Sequence, residues 1–545
     1  MPHATTETAG HPSSPPVLLD ASTLTRCRHR VYLDTAYRSL LAGTTENPGV
    51  QMRRDAAAAY RLEVREAFLA ADPAAWVVVS STMPRSMQVR ATRQACDEGA
   101  QRIWNAVFAD DAESGQRGRC DMLVRDPAGG YIPVLIVNHK VTDPGSGAVT
   151  SPLESWAPAV DDTRKVRPQL RDQLAAVHVH RLLAHIGHAG ASGKAGVIGF
   201  GAQVMLVHDL SAVSQEYERR FADRLAIASG EIVTVPAKVA ECRSCPWWSE
   251  CEEALRRTHD VSLVAAGSRA AALRSAGIRT IDELAEWTGG PPEEWPHGDF
   301  ADTVIVAEAW LAGLPLVRRH DEVTVHRADV EVDVDMESFQ EDGAYMWGTL
   351  LDRRDGNAPE YRAFVTWELV PTTDEARSFA QFWTWLQDVR SDAKARGLSF
   401  AAYCYSRAAE DKWLLGSARR FAGMPGIPTE AQVREFIDGP DWVDMYVAVS
   451  DNFVCPSGKG LKKVAPVAGF TWRDDEAGGE ASMAWYLQAV GRDGDVDRSQ
   501  RTRLLHYNED DVQATRALRV WMDNRSETEV PTAESLRSAR AGTKK

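Results

Sequence analysis

Residues 330–338 read VEVDVDMES. In a strand, alternation sends Val332, Val334 and Met336 to one face and Asp333, Asp335 and Glu337 to the other. Acids that face water need no explanation, whereas acids that face a core are costly unless they hold a cation. The surrounding chain supports a strand here. EVTVHRADVEVDVDME (322–337), AYMWGTLLDRR (344–354) and EYRAFVTWEL (360–369) are three consecutive strand-like runs. Helical runs follow at 376–397 and 498–524. Three strands followed by mixed strand and helix imply an α/β layer fold.

The closing run contains LLHYNEDDVQATRAL, in which Tyr507 and Asp511 are four apart and share one helical face. Between the acid strand and this helix, AAYCYSRAAEDKWLL places Glu410 at a helix start, with Asp411 and, in WVDMY, Asp444 as alternatives. A strand Asp-x-Glu, a middle acid and a helical Tyr-x3-Asp resemble the DEDD exonucleases of the RNase H-like (DnaQ-type) superfamily, and more closely its YprB-type branch. The resemblance implies that Asp335, Glu337, Glu410 and Asp511, with Asp444 as a further acid, hold Mg²⁺ or Mn²⁺. It also implies 3′-to-5′ hydrolysis of single strands. Two such ions, about 4 Å apart, activate water and stabilise the leaving oxygen. Tyr507 is expected to orient the water, because a phenol with an ordinary pKa of about 10 is a weak base source. In SGKGLKKVAP (457–466), Lys459, Lys462 and Lys463 are candidates for phosphate contact or for a solvated loop. The spacing G-x4-G-K-[ST] is absent, and no helicase or ATPase motif is visible, so any motor is a separate partner.

Toward the N-terminus, GRCDMLVRD, the turn PAGG and YIPVLIVNHKV form a hairpin (118–141). Alternation along its second arm puts Asn138 and Lys140 on one face and His139 on the other, with Asp121 on the partner strand. An acid, a metal-contacting group and a lysine in that arrangement could hold Mg²⁺ and steady a phosphate. With Gln173 in PQLRDQLAAVHVHRLL, these residues resemble the RecB-like nucleases of the PD-(D/E)xK superfamily. The chain departs from that pattern. Asn138 stands where the family has its second acid, Val177 stands where it has an aromatic residue, and Glu98 is the nearest substitute for the histidine ahead of the hairpin.

CRSCPWWSEC (242–251) gathers Cys242, Cys245 and Cys251 without a fourth cysteine nearby. Three thiols complete neither disulfides nor a four-thiolate site. Cys27 in STLTRCRHRVYLD is the distant candidate. One early cysteine and a late C-x2-C-x5-C resemble the AddB-type iron–sulfur branch of the RecB-like nucleases. That implies a [4Fe–4S] cluster on Cys27, Cys242, Cys245 and Cys251, with zinc as the alternative. Cys96, Cys120, Cys404 and Cys455 show no ligand spacing.

The 545 residues are ordinary in texture, with 44% hydrophobic and 26% charged. A net charge of −15 argues against nonspecific coating of nucleic acid, although a basic groove on an acidic body remains compatible with it. No membrane span or secretory leader is visible, and eight cysteines point to a reducing, cytoplasmic setting. The expected organisation is a disordered arm (1–19), a RecB-like domain with a cysteine cluster (20–257), a helical connector or helix-hairpin-helix (258–320), an RNase H-like domain (321–525) and a disordered tail (526–545). Expected partners are DNA, as single strands or ends, and a separate helicase.

Overall fold

The computed structural model describes residues 16–37, 48–476, 478–492 and 494–543. Most of the expected arm, residues 1–15, and the last two residues of the tail lie outside them. The chain divides into two compact units, Met1–Arg256 and Arg257–Lys545. Among the described residues, no helix is long and apolar enough to cross a membrane.

The first unit is built on an eight-stranded mixed sheet. Its order is Trp76–Val78, Arg102–Val107, Arg119–Arg125, Tyr131–Ile136, Lys194–Ile198, Met205–Asp209, Ala148–Ser151 and Ala159–Asp161. The hairpin pairs antiparallel with Met122 opposite Val134 and Arg125 opposite Tyr131. Its turn needs Gly130, at φ +81°, because a Cβ there would lie 2.2 Å from the Ala189 carbonyl oxygen. Alternation covers both faces. Trp104, Met122 and Ile132 pack with Tyr60 and Phe68 of helix Pro48–Ala71, while Ile103, Leu123 and Tyr131 pack with Val179 and Leu182 of helix Leu170–His185.

The second arm of the hairpin is shorter than expected. The strand stops at Ile136, so Asn138 and Lys140 occupy a bend and strand alternation does not place them. His139 anchors the bend, with its Nε2 2.8 Å from Asp172 Oδ2 and its carbonyl accepting from Phe200 N. A side-chain tie to one helix and a backbone tie to the next segment turn the chain out of the ladder.

The second unit carries a five-stranded sheet in the order Glu360–Val365, Gly343–Asp352, Val330–Phe339, Phe400–Cys404, Trp442–Asp444. The first three strands are antiparallel and the last two join in parallel. The acid strand separates two layers. Val330, Val332, Val334 and Met336 pack with Phe379, Phe382 and Leu386 of helix Asp374–Ala395. Asp333 and Asp335 meet the long helix Arg498–Asn524, with Arg519 bonded to Asp333 and Asn508 to Asp335. The repeats of the two elements match. Eight helical steps, from 511 to 519, rise about 12 Å, and four strand steps, from 333 to 337, span about 13 Å.

At one end of this seam Arg519 is wholly buried. It donates to both Asp333 oxygens and, at 3.2 Å, to Glu331 Oε2, and its guanidinium lies 3.8 Å from the Tyr403 ring centre. Arg519→Met would strand the buried Asp333 carboxylate and take one of two arginines from Glu331. The expected loss of stability is about 3–5 kcal/mol, read as a lower urea midpoint at unchanged m-value. An unchanged midpoint would contradict the network.

One expectation about the flanks is corrected. The tail is helical, over Ser526–Glu529 and Ala533–Thr543. Leu536 is buried with Ala309, Val317 and Val454, and Arg537 pairs with Glu308 at 2.9 Å, which gives the helix enough apolar contact to order it. The connector is helical, with Gly277 between two of its short helices. Its helices Ser268–Ser275, Ile281–Ala285 and Phe300–Leu311 share one core and belong to the second unit, with Gly277 turning at φ +87°.

Candidate active site

Asp335 and Glu337 on the acid strand and Asp511 on the long helix each place a carboxylate oxygen within 4.8 Å of the other two. The ladder shifts register at Glu337/Ser338, skipping Tyr345 opposite, and Glu337 sits at that irregularity. Such irregularities re-aim side chains. The mutual repulsion of acids in a dry place shows in their proton affinity. Burial, then Asp511, Glu337 and Glu410, hold Asp335 well above the usual carboxylate range. Burial, then Asp511, pushes Glu337 up to about 8, against Lys462 and Ser482. Burial also raises Asp511, against Lys462, Trp472 and Tyr507.

Glu410, in the first turn of helix Ala408–Arg420, lies outside the close trio but near enough to raise Asp335. It is buried, its Oε2 has no hydrogen-bond partner, and burial holds its carboxyl at about 8. A buried, unpartnered carboxylate oxygen is costly in the absence of a cation. The donor set is all oxygen, which suits Mg²⁺ or Mn²⁺. The acidic trio therefore fits a divalent ion, and Glu410 offers a fourth ligand beside it.

Asp444 has a different task. It caps helix Met445–Asn452 through Tyr446 N at 2.8 Å and accepts from Ser406 N and Arg407 N at 3.0 and 3.2 Å. It thereby clamps the turn that launches the Glu410 helix. Asp411 is occupied by Arg407 Nε and Trp442 Nε1.

Tyr507 is buried, and burial followed by Glu337, Asp511 and Asp335 raises its phenol far above the ordinary value, so it stays protonated. Lys462 Nζ lies 3.2 Å from the Tyr507 hydroxyl, 4.5 Å from that ring's centre and 5.6 Å from the Trp472 ring. The sequence motif thus delivers one lysine to the carboxylates. Lys463 is exposed, and Lys459 contributes its carbonyl to the Tyr405 hydroxyl. Trp472 Nε1 donates to Asp511 Oδ1 at 2.7 Å, Ser482 Oγ lies 3.4 Å from Glu337 Oε2, and Asn508 Nδ2 donates to Asp335 Oδ2 at 2.8 Å. Trp472, Ser482 and Asn508 escaped the sequence reading. Asn508 adjoins Tyr507, but nothing local marks it.

Bound ions require ionised carboxylates. With Glu337 and Glu410 releasing protons near 8, Mn²⁺ affinity should rise steeply from pH 6 to pH 9 in calorimetric titrations. Stability of the ion-free protein should move the other way. Folded carboxyls with raised pKa bind more protons than unfolded ones, so stability falls as pH rises from about 5 to 8. A flat affinity profile would contradict the cluster.

In the first unit, Asp121 Oδ2 accepts from Ile136 N at 2.9 Å, and Oδ1 lies 3.2 Å from Arg61 Nε. Gln173 turns to His208, at 3.3 Å, and Glu98 is exposed and bonded to Gln94. The guanidinium of Arg61 therefore stands against the acid that a divalent ion would need.

Cys27, at the start of helix Arg28–Ala36, and Cys242, Cys245 and Cys251 line one cavity with Trp247 and Trp248. All four thiols are unpaired and partly exposed. Glu241 accepts from Arg30, and Asp34 accepts from Trp247 Nε1 at 2.8 Å, tying the early helix to the late turn. Burial, then Cys245, Cys242 and Cys27, pushes the Cys251 thiol up to about 12. Four convergent thiols fit a thiolate-bound centre. Among the described residues, the acidic trio alone has three or more ligand atoms within 4.8 Å. No three of the four sulfurs therefore lie within 4.8 Å of one another.

Three carboxylates thus meet between the sheet and the long helix of one α/β unit. Residues 424–523 match a family model described as the RNase H superfamily. The second unit thus carries an RNase H-like domain, and the match takes in Lys462, Trp472, Tyr507 and Asp511. Asp335, Glu337 and Glu410 precede the matched segment, and their place beside it comes from the geometry. No curated protein and no solved structure matches the chain.

Proposed function

We propose that the chain is a metal-dependent DNA nuclease of repair or recombination, cutting single strands from the 3′ end at the carboxylates of the second unit. The observation that carries this reading is the convergence of Asp335, Glu337 and Asp511 beside a protonated Tyr507 and the Lys462 ammonium. Mg²⁺ or Mn²⁺ held by these carboxylates would supply the Lewis acidity that phosphodiester hydrolysis needs. Tyr507 orients the attacking water through its hydroxyl, and Trp472 steadies Asp511. Lys462 offers its charge to the phosphate, with Lys459 and Lys463 further out along the strand. Asp444 keeps Glu410 in place.

The first unit, in this reading, is a RecB-like domain (20–257) that binds DNA and carries a [4Fe–4S] cluster on Cys27, Cys242, Cys245 and Cys251. The cluster joins the two ends of the domain, with zinc as the alternative at the same thiols. A separate helicase would feed the strand. Cleavage at Asp121, Lys140 and Gln173 is the second enzymatic reading, and the Arg61–Asp121 pair and Asn138 weigh against it. A nonhydrolytic scaffold is the third. Wild type, Asp511→Ala and Lys140→Ala, assayed with Mn²⁺ on labelled single- and double-stranded DNA and RNA, separate the three. Loss with Asp511→Ala alone supports the proposal. Loss with Lys140→Ala alone moves the chemistry to the first unit, and no cleavage by wild type leaves a scaffold.

A further inference from the structure

We infer that Asn508 is a positioning residue of the carboxylate site, seated through an opening at Gly348 and locked by Tyr361, and that its amide aims Asp335 at the ion. The inference rests on the reading of Asp335, Glu337 and Asp511 as a metal site.

Asn508 is wholly buried, one helical position after Tyr507. Both ends of its amide are assigned. Oδ1 accepts from the Tyr361 hydroxyl at 2.8 Å. The same hydroxyl also lies 3.3 Å from the Leu505 carbonyl oxygen. The Asp335 carbonyl oxygen can only accept, which turns the amide nitrogen to the acid strand, where Nδ2 lies 2.8 Å from Asp335 Oδ2 and 3.3 Å from that carbonyl oxygen. One carboxylate oxygen and the backbone of the same residue are gripped by a single NH₂ group.

The seat is prepared on the neighbouring strand. Gly348 is directly opposite Asp335 in the ladder, and a Cβ there would fall 1.5 Å from Asn508 Oδ1. Any side chain at 348 would evict the amide. Four residues on four elements thus serve one carboxyl group: Asp335 receives, Asn508 donates, Tyr361 orients and Gly348 makes room. With Oδ2 engaged, Oδ1 is the oxygen left for an ion. Partners that orient a ligating carboxylate in this way typically change metal affinity by about 10–100-fold when removed.

The test is Mn²⁺ binding by the full-length protein at pH 8, followed by electron paramagnetic resonance, alongside melting temperature. Asn508→Leu keeps the branched shape at larger volume and removes the donor, Gly348→Ala fills the seat, and Tyr361→Phe keeps the amide but removes its lock. The first two should weaken Mn²⁺ binding about tenfold, and Tyr361→Phe should fall between them and wild type. Tyr361→Phe keeps the test open if the buried substitutions fail to fold. Wild-type Mn²⁺ affinity in Asn508→Leu and Tyr361→Phe, even with a lower melting temperature, would overturn the relay and leave the metal site standing. No Mn²⁺ binding by wild type would overturn the metal reading and the relay together.

Discussion

Asp511→Ala is expected to lower Mn²⁺-dependent hydrolysis of single-stranded DNA by about a thousandfold. Asp511 is the helical member of the trio, and its removal takes away charge from the place where an ion must offset phosphate repulsion. Losing one preorganised electrostatic group costs about 10²–10³ in rate, and losing a ligand adds weaker ion binding to that. The substitution should fold well, because it relieves like charges that raise Asp335 and Glu337. A thermal midpoint at or above wild type, measured without ions, would accompany the loss of activity. Asp511→Asn separates charge from shape, since it keeps the acceptor for Trp472 Nε1 and should be nearly as inactive as alanine. Digestion by Asp511→Ala at the wild-type rate would place the chemistry elsewhere.

Under the proposed [4Fe–4S] assignment, Cys251→Ser should strip the first unit of iron and of much of its stability. Purified without air, wild type is expected to be brown with about four irons per chain, and the variant pale with far less. The centre would join Cys27 to a cysteine trio more than two hundred residues away. A cross-link closing so long a loop contributes about 5 kcal/mol through the unfolded chain. For a unit of this size that corresponds to roughly 10–20 °C in melting temperature. The Asp34 bond to Trp247 and the Glu241 bond to Arg30 would remain, so the fold should loosen without dissolving. A colourless wild type with one zinc per chain would replace iron by zinc at the same thiols. A wild type with neither metal would overturn the centre.

Local pattern carried the reading furthest where one periodic element decides the outcome. Alternation in VEVDVDMES put the acids on one face, and the four-residue step put Tyr507 beside Asp511, as the structure has them. The same reasoning failed at NHK, because alternation holds only while the strand lasts, and this one ends at Ile136. It failed at the tail as well. Polar composition suggested disorder, but Leu536 and Arg537 find partners near Ala309 and Glu308 that the tail alone cannot reveal.

What the amino-acid order determined by itself is therefore the chemistry on offer: a strand with acids on one side, a helix with Tyr-x3-Asp, and a cysteine trio lacking a partner. Which of those groups meet was decided by tertiary structure. Asp333 and Asp335 are equivalent in the pattern, yet Arg519 neutralises the first while the second faces Glu337 and Asp511. Asn508 reaches Asp335 across 173 residues because Gly348, on the next strand, has no side chain. Periodicity of 2 or 3.6 assigns a face, since it follows from backbone geometry within one element. The choice between an ion pair and an ion site depends on what the sheet order brings to that face.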